Sequence, residues 1–91
     1  MNIEETLEER QKTHGEFSSH AEISQSIKRE IMAASGYFML STDQREALDM
    51  IAHKIARILN GNPNHIDHWH DIAGYATLVE MELKNDRQIH S

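Results

Sequence analysis

Apolar residues recur at intervals of three and four along most of the chain, which is the spacing of amphipathic α-helices. The sequence contains no alternation of apolar and polar residues of a length typical of β-strands. The spacing predicts helices over residues 3–13, 20–34, 42–60 and 65–84. We therefore expect an all-α, four-helix, bundle-like domain spanning residues 1–91, with residues 85–91 as a frayed tail.

Residues that favour helix ends mark these boundaries. Gly15 permits a left-handed C-cap, so the first helix should end at His14. Asn60-Gly61-Asn62-Pro63-Asn64 is a strong stop between the third and fourth helices. Asp67 follows near the positive end of the fourth helix dipole. Ser18 or Ser19 is the expected N-cap of the second helix, and Asn64 that of the fourth. For the third helix the N-cap is either Ser41, in a capping box with Gln44, or Thr42.

One apolar stripe on each of the three longer helices predicts the core. The third and fourth helices should form a long antiparallel pair with the first two helices packed across it, and residues 35–40 should be a buried connection at one end. The predicted core residues are Ile23, Ile27, Ile31 and Ala34 on the second helix, Ala47, Leu48, Ile51, Ile55, Ile58 and Leu59 on the third, and Trp69, Ile72, Ala73, Ala76, Val79 and Leu83 on the fourth.

Size and composition restrict the class of protein. A chain of 91 residues buries only about 60–65% of its unfolded surface, so self-association into a homo-oligomer would help it. The absence of cysteine restricts a metal site to carboxylate and imidazole ligands. A net charge of −6 argues against a nucleic-acid groove binder. Since no apolar run approaches the roughly 20 residues of a membrane span, we expect a cytoplasmic protein with no membrane partner.

A polar face on the third helix and a mixed face on the fourth hold the candidate chemistry. A solvated surface is the simple interpretation of the first face. The mixed face contains Gly74 and Leu78, which a solvated face does not need, so we expect it to be a second contact surface covered by the chain or by another subunit. The two faces comprise Glu46, Asp49, His53 and Arg57, with Lys54 at the border, and Asp67, Asp71, Gly74, Tyr75 and Leu78.

Two segments make the sequence familiar. The segments "THGEF" and "EALDMIAHKIARILNGNPNHIDHWHDIAGYATL" resemble a family of small phage and prophage proteins of unknown function. More distantly, carboxylates on one helix, a tight turn and an Asp-x-x-x-Asp-Ile-Ala-x-Tyr helix resemble the all-α, MazG-like nucleoside triphosphate pyrophosphatases. The first resemblance implies a cytoplasmic protein of a bacterial host, and it leaves His14 open between a helix end and a functional residue.

The resemblance to the pyrophosphatases implies a metal site. Glu46 and Asp49 would match the first ligand pair, and Asp71, with Asp67 or His68, the second. These residues would hold Mg²⁺ or Mn²⁺ against a triphosphate, with Lys54 and Arg57 facing the phosphates. The chain departs from that pattern because it lacks the leading Glu-Glu doublet and spaces Asp67 and Asp71 by four residues.

The sequence therefore supports two functional hypotheses. The first is a homo-oligomeric accessory protein that binds a nucleotide, a nucleotide-derived signal or a host protein. In this hypothesis Lys54, Arg57, Tyr75 and His14 are the ligand-binding residues. The alternative is a metal-dependent nucleotide pyrophosphohydrolase with Glu46, Asp49, Asp67 and Asp71 as metal ligands. A third interpretation treats the motif as a packing signature, in which Gly74 and Tyr75 permit a close helix–helix approach.

Overall fold

The computed structural model describes residues 2–90, and of residues 86–90 the backbone alone. Four α-helices lie within this range: α1 (Ile3–His14), α2 (Phe17–Ala33), α3 (Thr42–Asn60) and α4 (Ile66–His90). A short 3-10 helix, Ser35–Met39, connects α2 to α3. No strand is present in residues 2–90, so the predicted all-α class is confirmed. The predicted frayed tail, residues 85–91, is helical in the structure as far as His90, because the backbone of residues 85–90 continues α4; residue 91 lies outside the described residues.

The predicted helix ends are confirmed at α1 and α3 and wrong at the start of α2. They are also wrong at α4, which begins at Ile66, so that Asn64 is not its N-cap, and which runs past Lys84. Ser41 Oγ accepts the backbone N–H of Gln44 at 3.1 Å and Gln44 Oε1 accepts that of Ser41 at 2.9 Å, which completes the predicted capping box. Helix α2 begins at Phe17 with Glu16 as its N-cap, so Ser18 and Ser19 lie inside its first turn. The error arose because the chain reverses at Gly15 within two residues and re-enters a helix at once.

Helix α3 lies in the middle of the fold, with α2 and α4 packed along it and α1 contacting α3 and α2. The buried apolar residues of residues 2–85 are three alanines, Ala47, Ala52 and Ala56. The predicted stripe omitted Ala52 and Ala56, because it assumed that neighbours cover one side of α3. Packing against α2 and α4 covers more of α3 instead, and small side chains allow the close approach. The result is an elongated molecule measuring 52 × 27 × 23 Å.

The apolar stripe predicted to bury α4 is only partly buried. Trp69 is 56% exposed and Leu83 is 47% exposed, whereas His68, which the stripe omitted, is 1% exposed. Helix α4 packs on α3 through a side centred near His68, so its apolar stripe lies at the flank of the contact. The same difference affects α3, where the predicted core residue Leu59 is 66% exposed.

Within the single chain, two surfaces that were predicted to be covered are open; for the second side of α4, cover by another subunit stays a prediction. A Cβ added at Gly74 would meet no atom within 4 Å, and Leu78 is 60% exposed, so the second side of α4 is open. Only Tyr75 of the mixed face's apolar residues is half-buried. The connection over residues 35–40 does not close the bundle, since Phe38 and Met39 are exposed. Both surfaces are open for one reason: α4 and the 3-10 helix each pack against few other helices of the chain.

No helix in the described part of the chain is both long enough and apolar enough to cross a membrane.

Candidate functional site

The turn between α1 and α2 packs directly against the turn between α3 and α4. The backbone N–H of Asn62 donates to the carbonyl of Thr13 at 2.9 Å. The Asn60 side chain donates from Nδ2 to the carbonyls of His14 at 2.9 Å and Glu16 at 2.8 Å. These three hydrogen bonds join the ends of α1 and α3.

Glycine is required on both sides of this contact. Gly15 has φ +77°, and an added Cβ would overlap the carbonyl oxygen of Asn60. A Cβ on Gly61 would overlap the carbonyl oxygen of Thr13. Since the obstructing atoms are backbone atoms, they cannot rotate away. The two turns, which we call the paired loops (residues 13–16 and 60–65), therefore set the position of the neighbouring side chains.

Histidines from all four helices, together with His65 of the second loop, lie close together beside the paired loops. His14 Nδ1 lies 3.3 Å from His68 Nε2, and the ring of His65 is centred 4.6 Å from that of His68. Beside them, His20 of α2 meets His53 of α3 edge to face at 4.6 Å between ring centres. His20 and His68 are almost completely buried, at 5% and 1% exposure.

Four of these imidazoles, those of His14, His20, His53 and His68, favour the neutral form. Burial, together with the nearby Arg57 charge, lowers the pKa of His14 and of His53 from 6.5 to about 4. Burial also lowers the pKa of His20 and of His68. A cluster of neutral imidazoles can donate and accept hydrogen bonds without adding charge at neutral pH. One ring nitrogen of the cluster makes no hydrogen bond: His20 Nδ1 is buried and has no partner.

A cleft of about 560 Å³ opens between α1, α2 and the second half of α3. Its size is within the range of small-molecule sites. We call it the imidazole cleft. Its charged and aromatic lining residues include Arg10, His14, Phe17, His20, His53 and Arg57.

Arg57 is the electrostatic centre of the imidazole cleft. Its side chain is partly buried, and no described residue forms an ion pair or accepts a hydrogen bond from it. Burial lowers the pKa of Arg57, and the charge of Arg10 lowers it further, while Asp71 opposes these effects. A guanidinium in such a place can bind phosphate or carboxylate with two parallel hydrogen bonds.

The four predicted ligand-binding residues lie in different surroundings. Arg57 and His14 line the imidazole cleft, whereas Lys54 and Tyr75 are not among its lining residues. Lys54 Nζ is instead 2.7 Å from Asp71 Oδ2, and the Lys54 side chain is only 11% exposed. Tyr75 is half-buried on α4.

The four predicted metal ligands differ in their contacts and their burial. Lys54 lowers the pKa of Asp71 through the hydrogen bond between them. Asp67 Oδ2 lies 3.7 Å from His65 Nε2, Glu46 is exposed, and Asp49 is partly buried. Within the described residues, no three histidine, aspartate or glutamate side chains are arranged to hold a metal ion. The Mg²⁺ or Mn²⁺ site stays a prediction.

Sequence reasoning missed Arg10, Phe17 and His20. Arg10 and Phe17 are cleft residues because the short turn at Gly15 places the end of α1 beside the start of α2. His20 was missed because α2 was predicted to begin there; in the structure it lies one turn inside the helix, against α3. The repeated histidines were the available signal, but a sequence does not show which of them meet.

Comparison with known proteins places this arrangement in a family. The chain matches the family described as a domain of unknown function, DUF6378, over residues 2–83. The chain belongs to the DUF6378 family. The expected membership of an uncharacterised family is therefore confirmed. No curated protein and no solved structure matches this DUF6378 chain.

The residues that carried the sequence resemblance have a clear structural role in this DUF6378 domain. Residues 13–17 form the first paired loop and the start of α2, and residues 46–79 include the second loop with the parts of α3 and α4 beside it. Both segments contact each other through the Asn60 and Asn62 hydrogen bonds. The motif therefore describes one assembled region of the molecule.

Proposed function

We propose that this DUF6378 chain is a small phage-type accessory protein that binds a nucleotide or nucleotide-derived signal in the imidazole cleft and acts as a homo-oligomer. The observation that carries the ligand proposal is Arg57, a partly buried guanidinium that lines a cleft and forms no ion pair or side-chain hydrogen bond with another described residue. An unpaired charge in a partly buried site costs free energy, and a bound anion would remove that cost.

The surroundings of Arg57 favour a phosphate group on an aromatic molecule. Arg10 adds a second positive charge to the cleft, in a protein whose net charge is −6. Phe17 is 80% exposed at the cleft wall and offers an open ring face on which a base can stack. The imidazoles of His14 and His53 line the same cleft and can donate or accept a hydrogen bond. Charge, ring face and imidazole together match the parts of a nucleotide.

The proposal uses two of the four ligand residues that the sequence suggested. Arg57 and His14 line the cleft and would contact the ligand directly. Lys54 is held by Asp71, so it would act at a distance through its charge. Direct contact of Tyr75 with a ligand has no support from the lining of the cleft.

Thermal-shift measurements and calorimetry test this proposal. The probes are adenosine, AMP, ATP, GTP, inorganic phosphate and pyrophosphate, each with and without Mg²⁺. A ligand at 100 times its Kd stabilises the folded state by about 2.7 kcal/mol, which raises the melting temperature measurably. We expect AMP or ATP to raise it more than adenosine or phosphate does, because the cleft offers both stacking and charge.

Arginine variants provide the matched control. Arg57→Gln should weaken nucleotide binding by about tenfold to a hundredfold, since hydrogen bonds to charged groups contribute about 1.5–3 kcal/mol. Arg29→Gln removes a charge on the exposed side of α2 and should leave binding unchanged. If no probe stabilises the folded protein, a host-protein partner becomes the better hypothesis. Release of pyrophosphate from ATP with Mg²⁺ would instead support the hydrolase.

A further inference from the structure

The chain exposes more surface than a monomer of its mass. Its accessible surface is 6869 Å² at 10.5 kDa, whereas monomeric proteins of that mass expose about 5,400 Å². Its radius of gyration is 15.9 Å, against about 12 Å for a compact domain of this length. The difference in area, about 1,400 Å², is surface that a compact monomer would bury.

The exposed surface includes the residues that should form the core. In residues 2–85 the buried apolar side chains are alanines, while the larger aliphatic residues of the predicted stripes are half-buried or exposed. Ile51 and Ile55 of α3 and Val79 of α4 are half-buried, and Leu59 and Leu83 are exposed. Each stripe has the spacing of a buried helix face, but the chain does not cover it.

The stripes of α3 and α4 meet at a groove. This groove has a volume of about 310 Å³ and is apolar except for Gln44; its other lining residues are Leu40, Ala47, Leu48, Ile51, Ala76 and Val79. Leu83 follows Val79 by one turn on α4, and Leu59 follows Ile55 by one turn on α3, so the stripes continue beyond the groove. We call the groove with these two continuations the apolar face.

We infer that the apolar face is covered by the same face of a second copy of this chain. If a second copy covers an excess of about 1,400 Å² on each chain, the dimer buries about 2,800 Å², which is within the range of obligate homodimers. A fold whose own core consists of alanines needs its partner whenever it is folded, and a second copy is always present. This inference specifies the self-association in the proposed function and is independent of the ligand.

Light scattering after size-exclusion chromatography tests the surface. The wild-type protein should have about twice the 10.5 kDa mass of one chain, and its melting temperature should rise with protein concentration. Leu59→Asp and Leu83→Asp change residues that are exposed in the single chain, and each should reduce the mass to that of one chain. Ile3→Asp, at a position 69% exposed on α1, should keep the mass of two chains.

If the aspartate variants fail to fold, cysteine alkylation tests whether the apolar face is covered. The chain has no cysteine, so single cysteines at positions 59 and 3 report on their own surroundings. Leu59 and Ile3 are almost equally exposed in one chain, at 66% and 69%. Leu59→Cys should react with a maleimide at least several-fold more slowly than Ile3→Cys. Equal rates, a wild-type mass of one chain, or a two-chain mass that survives both aspartate variants would overturn the inference.

Arg57→Gln separates this inference from the ligand proposal. That variant should bind nucleotide about tenfold to a hundredfold more weakly and keep the mass of two chains, because Arg57 lies in the imidazole cleft and not on the apolar face. If the wild-type protein has the mass of one chain and binds nucleotide normally, the dimer is overturned and the ligand proposal is not.

Discussion

His14 Nδ1 and His68 Nε2 lie 3.3 Å apart, although 54 positions separate them in the sequence. Neither helix alone produces this contact. It depends on the paired loops, in which Asn60 and Asn62 bind the carbonyls at the end of α1. The same hydrogen bonds place His14 in the wall of the imidazole cleft, so the candidate site depends on the loops as much as on its own side chains.

The paired loops should not tolerate a side chain at Gly61. In Gly61→Ala the new Cβ would overlap the backbone carbonyl of Thr13, so the loops must separate. We expect a loss of about 2 kcal/mol or more in the free energy of unfolding, measured by urea denaturation. Gly74→Ala is the matched control: the added Cβ meets no atom within 4 Å, and alanine should stabilise α4 by about 0.5–1 kcal/mol. Equal denaturation midpoints for the two variants would contradict the proposed role of the loops.

Asn60 should be required for its donor group. Its Nδ2 binds two carbonyl oxygens, so Asn60→Ala should cost about 1–3 kcal/mol, and Asn60→Asp should cost at least as much, because a carboxylate cannot donate to a carbonyl. Urea denaturation gives both values. Asn85→Ala, at an exposed position late in α4, serves as the control and should leave stability unchanged. If Asn60→Asp is as stable as the wild-type protein, the two hydrogen bonds do not hold the loops together.

Local signals in the sequence predicted the elements well, and packing between elements was harder to predict. Ser41, Gln44 and the stop at Gly61 act within a few residues, so the start and end of α3 could be predicted. The neighbours of Ala52 and His68 come from other helices, and a helical wheel does not show how many neighbours a helix has.

In the candidate site, too, local features could be predicted from the sequence and contacts between helices could not. Arg57 could be selected because a cation on a polar face is visible in the sequence. The residues around Arg57 could not be predicted, because Arg10, Phe17 and His20 line the cleft only as a result of the short turn at Gly15, which sets α1 beside α2. The charged face predicted on α3 is divided in the structure, since His53 meets α2 and Lys54 meets Asp71 of α4.

Stability should fall as the pH falls from about 6.5 to 4. The pKa values of His14 and His53 are lowered to about 4 in the folded protein, whereas the unfolded chain titrates near 6.5. In this window the unfolded state binds more protons, so acid favours unfolding; the stabilisation is present above pH 6.5 and is lost towards pH 4. Urea midpoints measured at intervals across the window test this.

Histidine variants identify the source of that pH dependence. His53→Gln removes one of the groups with a lowered pKa and should make the fall in stability shallower. His70→Gln changes an exposed histidine of α4 and should leave the slope as in the wild-type protein. A slope that is unaffected by His53→Gln would show that the titrating groups lie elsewhere.

Anion binding in the imidazole cleft should take up protons. A phosphate beside Arg57 places negative charge near His14 and His53, which raises their pKa values because an opposite charge favours the imidazolium form. Affinity for AMP or ATP should therefore increase as the pH is lowered from 7 to 5. Calorimetry in two buffers of different ionisation enthalpy measures the proton uptake directly. The uptake should decrease in His14→Gln, whereas His70→Gln, outside the cleft, should bind with unchanged uptake. The phosphate of the ligand also titrates at about pH 6, so the difference between variant and wild-type protein is the decisive quantity. Equal uptake in His14→Gln and in the wild-type protein would place the ligand away from this histidine.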